Sequence, residues 1–238
     1  MTRRNVLRSP RGGIFMLLAA CLCFAGCGKA PVGSPLETIK ARMTDVPTYS
    51  IILEDMRTSG NFIRAYHHKF RVVEPEDATT TDWMDVSEKF YKAHGPHLGM
   101  SLYSKKDGEA VAGTTPPGYA YVGDSRYGQW REDRRGNSFW EFYGKYALIS
   151  HFLGGWYRPV YRNDYNNYRS YRSRNRTYFG RNNQYGSTGS IVKKQKPNFY
   201  ARKMARQQSS GSQFKKRVSN RIGRTRTGYR GRSAGFGK

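Results

Sequence analysis

The residues that could do chemistry are few. His94 and His97 are spaced as an H-x-x-H pair, but Gly95 and Pro96 lie between them and break the helix that would put both rings on one face. His67 and His68 are adjacent, so on a strand they point to opposite faces and cannot share a metal. Gly123-Asp-Ser125 has the letters of a hydrolase block that uses serine as nucleophile, with no matching Asp/His block after it. The pairs Glu54-Asp55 and Glu132-Asp133 read as solvated charge. No H-E-x-x-H and no phosphate-binding G-x-x-x-x-G-K-[ST] occurs. The expectation is a non-enzymatic protein with no cofactor and no metal; a hydrolase using Ser125 with His94 or His97 is the weaker alternative.

The most informative chemistry sits near the N-terminus. Arg3, Arg4, Arg8 and Arg11 precede an apolar run of 11 residues, Ile14–Phe24. As a helix that run covers roughly 16 Å, against about 30 Å of bilayer hydrocarbon, so it reads as a secretory signal over residues 1–26. It ends Phe24-Ala25-Gly26-Cys27. This resembles the lipobox of bacterial lipoproteins, with Phe24 where that family usually carries Leu. The resemblance implies cleavage before Cys27, a diacylglyceryl group on its thiol, and an acylated new amine. Cys21 and Cys23 fall inside the signal, so the mature chain would hold no free thiol. Residues 27–35, with Pro31, Gly33 and Pro35, read as a tether. The expected location is a bacterial cell envelope, anchored to membrane lipid and facing the periplasm or exterior. Gly28 is not the Asp associated with inner-membrane retention in some lipoprotein systems.

Charge divides the rest. The chain carries +25, yet residues 36–153 hold 15 basic and 16 acidic residues. Residues 154–238 hold 22 basic residues and one acid, Asp164. A near-neutral body thus precedes a strongly basic segment. That segment interleaves Tyr with Arg and Asn and has few aliphatic residues, which predicts a largely disordered tail over 154–238. Its candidate anion-binding residues are Arg158, Arg162, Arg169, Arg172, Arg174, Arg176, Lys193, Lys194, Lys196, Arg202, Lys203, Arg206, Lys215, Lys216, Arg217, Arg221, Arg224, Arg226, Arg230 and Arg232. Residues 199–208 could form a short basic helix on contact with a surface or partner.

Arg with Tyr is also what single-stranded nucleic acid meets, and Tyr229-Arg-Gly-Arg232 resembles an RGG element. An exported chain does not meet cytoplasmic RNA. The expected partners are therefore anionic lipids, other envelope polyanions or an acidic protein; nucleic acid is the alternative if the signal is misread.

The elements that would position these groups form an α+β body over residues 36–153. Tyr49–Met56 and Phe62–Val73 alternate apolar and polar residues around a Ser-Gly-Asn turn, which predicts a β-hairpin. A helix follows near Asp85-Val-Ser-Glu88, then strands at 98–104 and 119–122 around a Lys-Asp-Gly turn. Ser138-x-x-Glu141 has capping-box spacing. Phe139, Phe142, Tyr146, Ile149 and Leu153 recur at steps of 3 and 4, predicting an amphipathic helix over 139–153 that packs on its own sheet or on another subunit. The fold class expected is a small, mostly antiparallel sheet packed with one or two helices.

The run Tyr127-Gly-Gln-Trp through Gly136-Asn-Ser-Phe-Trp-Glu-Phe-Tyr-Gly-Lys-Tyr-Ala147 resembles a motif of uncharacterised bacterial envelope lipoproteins, as do Arg217–Arg224 and Ala234–Lys238. That resemblance implies an envelope lipoprotein with a small mixed domain and a basic tail. It implies no activity and no site residues.

Overall fold

The computed structural model describes residues 34–225, with side chains through Arg221. The signal, the lipobox residues Phe24, Ala25 and Gly26, Cys27, and the cations Arg226, Arg230 and Arg232 lie outside the described residues.

Helix α1 (Pro35–Arg42) opens with Pro in its first turn, Glu37 near its start and Lys40 and Arg42 at its end. Each suits the helix dipole or the missing N–H. Strands β1 (Tyr49–Ser59) and β2 (Ala65–Val73) form the predicted antiparallel hairpin, with Ile51 opposite Val72 and Leu53 opposite Phe70. A bulge between Leu53 and Asp55 shifts the register. Short strands β3 (Ala78–Thr80) and β4 (Met84–Val86) both pair with β2. Strand β5 (Ser101–Lys106) pairs with β1, and β6 (Glu109–Val111) with β5. The sheet runs β3-β2-β1-β5-β6, entirely antiparallel. Asp107 and Gly108 both take positive φ (49° and 87°) in the Lys-Asp-Gly turn, as a tight two-residue hairpin requires.

Strand β1 outruns β5. Its residues Ser50–Ile52 pair on both sides, whereas Asp55–Ser59 pair with β2 alone. Helix α2 (Glu88–His94) begins two residues later than the Asp85 signal suggested. Ser87 is the cap, its Oγ accepting from the Phe90 N–H at 3.2 Å.

The predicted helix over 139–153 is not formed. Strand β7 (Gly128–Glu132) pairs with β8 (Ser138–Phe142), with Trp130 opposite Trp140. The Gly136-Asn137 turn closes this hairpin. Phe139-Trp140-Glu141-Phe142 is a strand-favouring run, and Trp140 and Phe142 bury at period two. The step of 3 between Phe139 and Phe142 belonged to no helix. Glu141 reaches across to Arg131 rather than back to a cap. Only the end of the stretch is α-helical, as α3 (Ile149–Phe152). The strand expected at 119–122 is a buried 3-10 turn, Tyr119–Tyr121.

The boundary at residue 154 also moves. Trp156, Val160, Tyr168, Tyr178, Tyr185, Ile191 and Val192 are all buried in the same core as Ile52, Leu53, Phe70 and Met100. Residues 154–225 carry α4 (Arg162–Ser173), α5 (Ser190–Gln195) and α6 (Pro197–Thr225) rather than a disordered tail. Tyr supplies the apolar area that aliphatic residues would otherwise give. Tyr119 packs against Tyr168, Tyr178 and Tyr185 with ring centroids 5.4, 6.0 and 6.2 Å apart. The one acid of this segment, Asp164, is buried and receives two hydrogen bonds from Arg181, at 3.1 and 3.0 Å.

Candidate anionic-surface interface

Helix α6 is the longest element, 29 residues, and it starts with Pro at its first position. Phe199 and Tyr200 pack against the core; from Ala205 to Arg221 every residue is exposed. The helix contains eight Lys/Arg and no Asp/Glu. At about 100° per residue, Arg202, Arg206 and Arg217 fall within one stripe, while Phe214 and Val218 fall on a neighbouring face. Phe214 is 67% exposed. The exposed half also contains Ser209-Ser-Gly-Ser212, poor helix formers with no packing to compensate.

Beside the first turns of α6 lies a cavity of about 500 Å³. Its walls are Met56, Arg57 and Thr58 from the end of β1 that pairs with β2 alone, Tyr91, Lys92, Gly95 and Pro96 from α2 and its exit, and Phe199, Arg202, Lys203 and Arg206 from α6. Five of these side chains are cationic and none is acidic. The carboxylates nearby are already held: Glu88 by Lys92 at 2.6 Å, and Asp55 by Lys196 at 2.8 Å. Burial pushes the Tyr91 hydroxyl up, and Arg206 and Arg202 pull against that shift, so both guanidinium groups act on this hydroxyl. Arg57 stacks on Trp83 with 4.2 Å to the ring centroid. The cavity thus presents positive charge over an apolar floor.

The cations predicted from sequence do not act as one set. Lys196 is an internal tie, bonded to Asp55 and 3.9 Å from Glu54. Arg158 donates to the Gly155 and Tyr157 carbonyls. Arg162 lies over Trp130, Arg176 over Tyr171, and Lys193 over Tyr200. Arg172 and Arg176 line a second cavity with Tyr168 and Tyr178. Arg169, Arg174, Lys194, Lys215, Lys216 and Arg217 are exposed. Arg224 falls in the last turn of α6.

The histidines occupy three different settings. His68 is fully buried and neither ring nitrogen has a hydrogen-bond partner among the described residues. It packs against Phe70, Phe90 and Tyr91, with His94 beyond Phe90 and His97 beyond His94. Burial, with a smaller contribution from the neighbouring His94, lowers His68 and His97 to about 4. No cluster of metal-ligating side chains occurs among the described residues. His94 and His97 make no hydrogen bond to Ser125; His97 stacks on Phe179 instead.

His67 faces outward, as adjacency to His68 required. Its Nε2 lies 2.7 Å from Ser59 Oγ and its Nδ1 2.7 Å from Asp85 Oδ1. This is the bond order of a nucleophile, a base and an orienting acid, and sequence reading missed it because the three residues meet only through the pairing of β1, β2 and β4. The Asp85 side chain is 61% exposed, whereas an orienting acid in a hydrolase is buried. The chain of bonds ties the end of the hairpin to β4.

No helix among the described residues is long and apolar enough to cross a membrane. Comparison with known protein families, characterised proteins and solved structures returns no match.

Proposed function

We propose that this chain is a non-enzymatic bacterial envelope lipoprotein, anchored through Cys27, whose C-terminal helix α6 lies on an anionic membrane surface. The observation that carries the reading is the exposed half of α6. Phe214 and Val218 stand in water with Lys215, Lys216 and Arg217 around them, and no acid balances them within the helix. An apolar strip edged by cations is what an interfacial helix presents, with long basic side chains reaching up to the head groups. The signal and lipobox-like sequence support delivery to such a surface.

The test has two parts. The intact mass of membrane-fraction protein is compared with that of a Cys27→Ser variant; a chain starting at a lipid-modified Cys27 is expected, and an unprocessed soluble chain from Met1 would overturn the anchor. Amide exchange is then followed on the full chain in phosphatidylcholine vesicles with and without phosphatidylglycerol. Slowed exchange at 207–221, only with phosphatidylglycerol and reversed by salt, is expected. Each cation at such a surface contributes about 1 kcal/mol, so Lys215→Gln, Lys216→Gln and Arg217→Gln together should weaken contact roughly a hundredfold at low salt. Equal exchange on both vesicles would remove the role given to α6.

A further inference from the structure

The hairpin between β1 and β2 ends in Phe62 and Ile63, which are 102% and 88% exposed. They are the two most exposed large apolar side chains among the described residues, and they are adjacent. Nothing in the fold requires them: a five-residue connection of Gly60, Asn61, Phe62, Ile63 and Arg64 would turn as well with polar residues, and Gly60 at φ 84° already supplies the left-handed position. The strand that leads to this tip also walls the cation-lined cavity. Thr58 lines the cavity, and Phe62 follows four residues later. Arg57 and Arg64 bracket the tip in sequence.

Two chemistries therefore meet at one end of β1. One is an apolar tip that no described residue covers. The other is an open cavity with cations from three elements and an apolar floor of Met56 and Phe199. Among the described residues, no carboxylate lies within salt-bridge reach of Arg202 or Arg206. A bilayer of anionic phospholipid matches both at once, because its phosphates lie one layer above its acyl chains. A soluble anion would satisfy the cavity and leave the tip in water.

We propose that this end of the sheet is a lipid-docking site, in which Phe62 and Ile63 enter the leaflet while Arg57, Arg202 and Arg206 hold a lipid phosphate in the adjoining cavity. The proposal rests on the reading that an anionic membrane is the partner, but it assigns a site separate from the exposed half of α6.

The experiment places a nitroxide at Asn61→Cys in the full chain, reconstituted in phosphatidylcholine vesicles with or without phosphatidylglycerol. Asn61 is exposed, so the label leaves Phe62 and Ile63 in place. Collision with oxygen and with a water-soluble nickel chelate reports the depth of the tip. The expected result is a label in the acyl region with phosphatidylglycerol and in water without it. Phe62→Ser with Ile63→Ser should lower the inserted fraction at least about tenfold, since two large apolar side chains no longer leave water. Arg202→Gln with Arg206→Gln should lower it by about tenfold or more. Lys215→Gln, Lys216→Gln and Arg217→Gln should lower the amount of chain bound but leave the label at the same depth in the fraction that is bound, which separates this site from the α6 contact. A label that stays in water on both vesicles overturns the proposal, as does equal insertion in both. Inorganic phosphate that protects the cavity residues from exchange while the tip stays in water would reassign the cavity to a soluble anion.

Discussion

Replacing His68 by Leu should flatten the acid dependence of stability. His68 is fully buried, its two ring nitrogens are unpartnered, and burial lowers it from 6.5 to about 4. The folded state therefore holds the neutral ring over a range where the unfolded chain takes up a proton. Between the unfolded value and about 4 the unfolded state binds more protons, so stability falls as pH falls through that window. Above the unfolded value the contribution is constant, and below about 4 the loss is complete. At pH 4.5 the loss relative to neutral pH is about 2.5 kcal/mol for this one group, from the difference of the two binding terms. His97 titrates in the same sense, also lowered by burial to about 4, and Glu74 in the opposite sense, its carboxyl raised by burial and by Asp77, so the wild-type curve alone is a mixture. Comparison with His68→Leu cancels that background. At pH 7 the variant should match or slightly exceed wild type, because two buried orphan nitrogens are removed at similar volume. The assay is urea unfolding of both proteins from pH 7 to 4.5. Curves that stay parallel across that range would refute the reasoning, showing that His68 keeps its ordinary value in the fold.

Gly99→Ala should destabilise by more than about 2 kcal/mol in the same assay, since φ is 75° and an added Cβ would lie 2.4 Å from a Trp156 ring carbon. Arg181→Ala should cost roughly 2–3 kcal/mol, less than a wholly buried pair because Arg181 is half in water, and Asp164→Asn with Arg181→Ala should recover part of it in a double-mutant cycle. Ser87→Ala should cost about 1 kcal/mol by loss of the α2 cap, read as a lowered melting temperature. A fluorophosphonate probe should leave Ser59 unlabelled; stoichiometric labelling abolished by His67→Ala would overturn the non-enzymatic reading.

Truncation shows where sequence reading ended. Read from sequence, a cut after Leu153 releases a basic tail; in the fold it removes Trp156, Val160, Tyr168, Tyr185 and Val192 from the core. Among the described residues, a cut after Gln208 removes only exposed ones. The first hairpin was legible because Ile51, Leu53, Phe70 and Val72 alternate around glycine-bearing turn residues, and alternation has one structural meaning. The stretch 139–153 was not, since Phe139 and Phe142 satisfy a helical step while Trp140 and Phe142 satisfy a strand; the partner strand at Trp130 decides, and a window of local sequence does not contain it. The tail was misjudged for a related reason. Its burial comes from tyrosines that meet Tyr119 from far along the chain, so composition registered polarity where the fold found area. The cavity was invisible for the same reason, being assembled from β1, α2 and α6.

The late position of the core-closing residues sets an order of events. The chain has passed all six strands of the main sheet by Val111, yet Leu98 N–H waits for Ser187 Oγ and Asp55 waits for Lys196, 141 residues away. Emerging from a ribosome N-terminus first, the sheet meets Tyr119 and Tyr121 early but lacks Ser187 and Lys196 until about 80 further residues follow it. The last ties across the sheet thus form only after most of the polypeptide has been made, so its core closes late in synthesis rather than strand by strand.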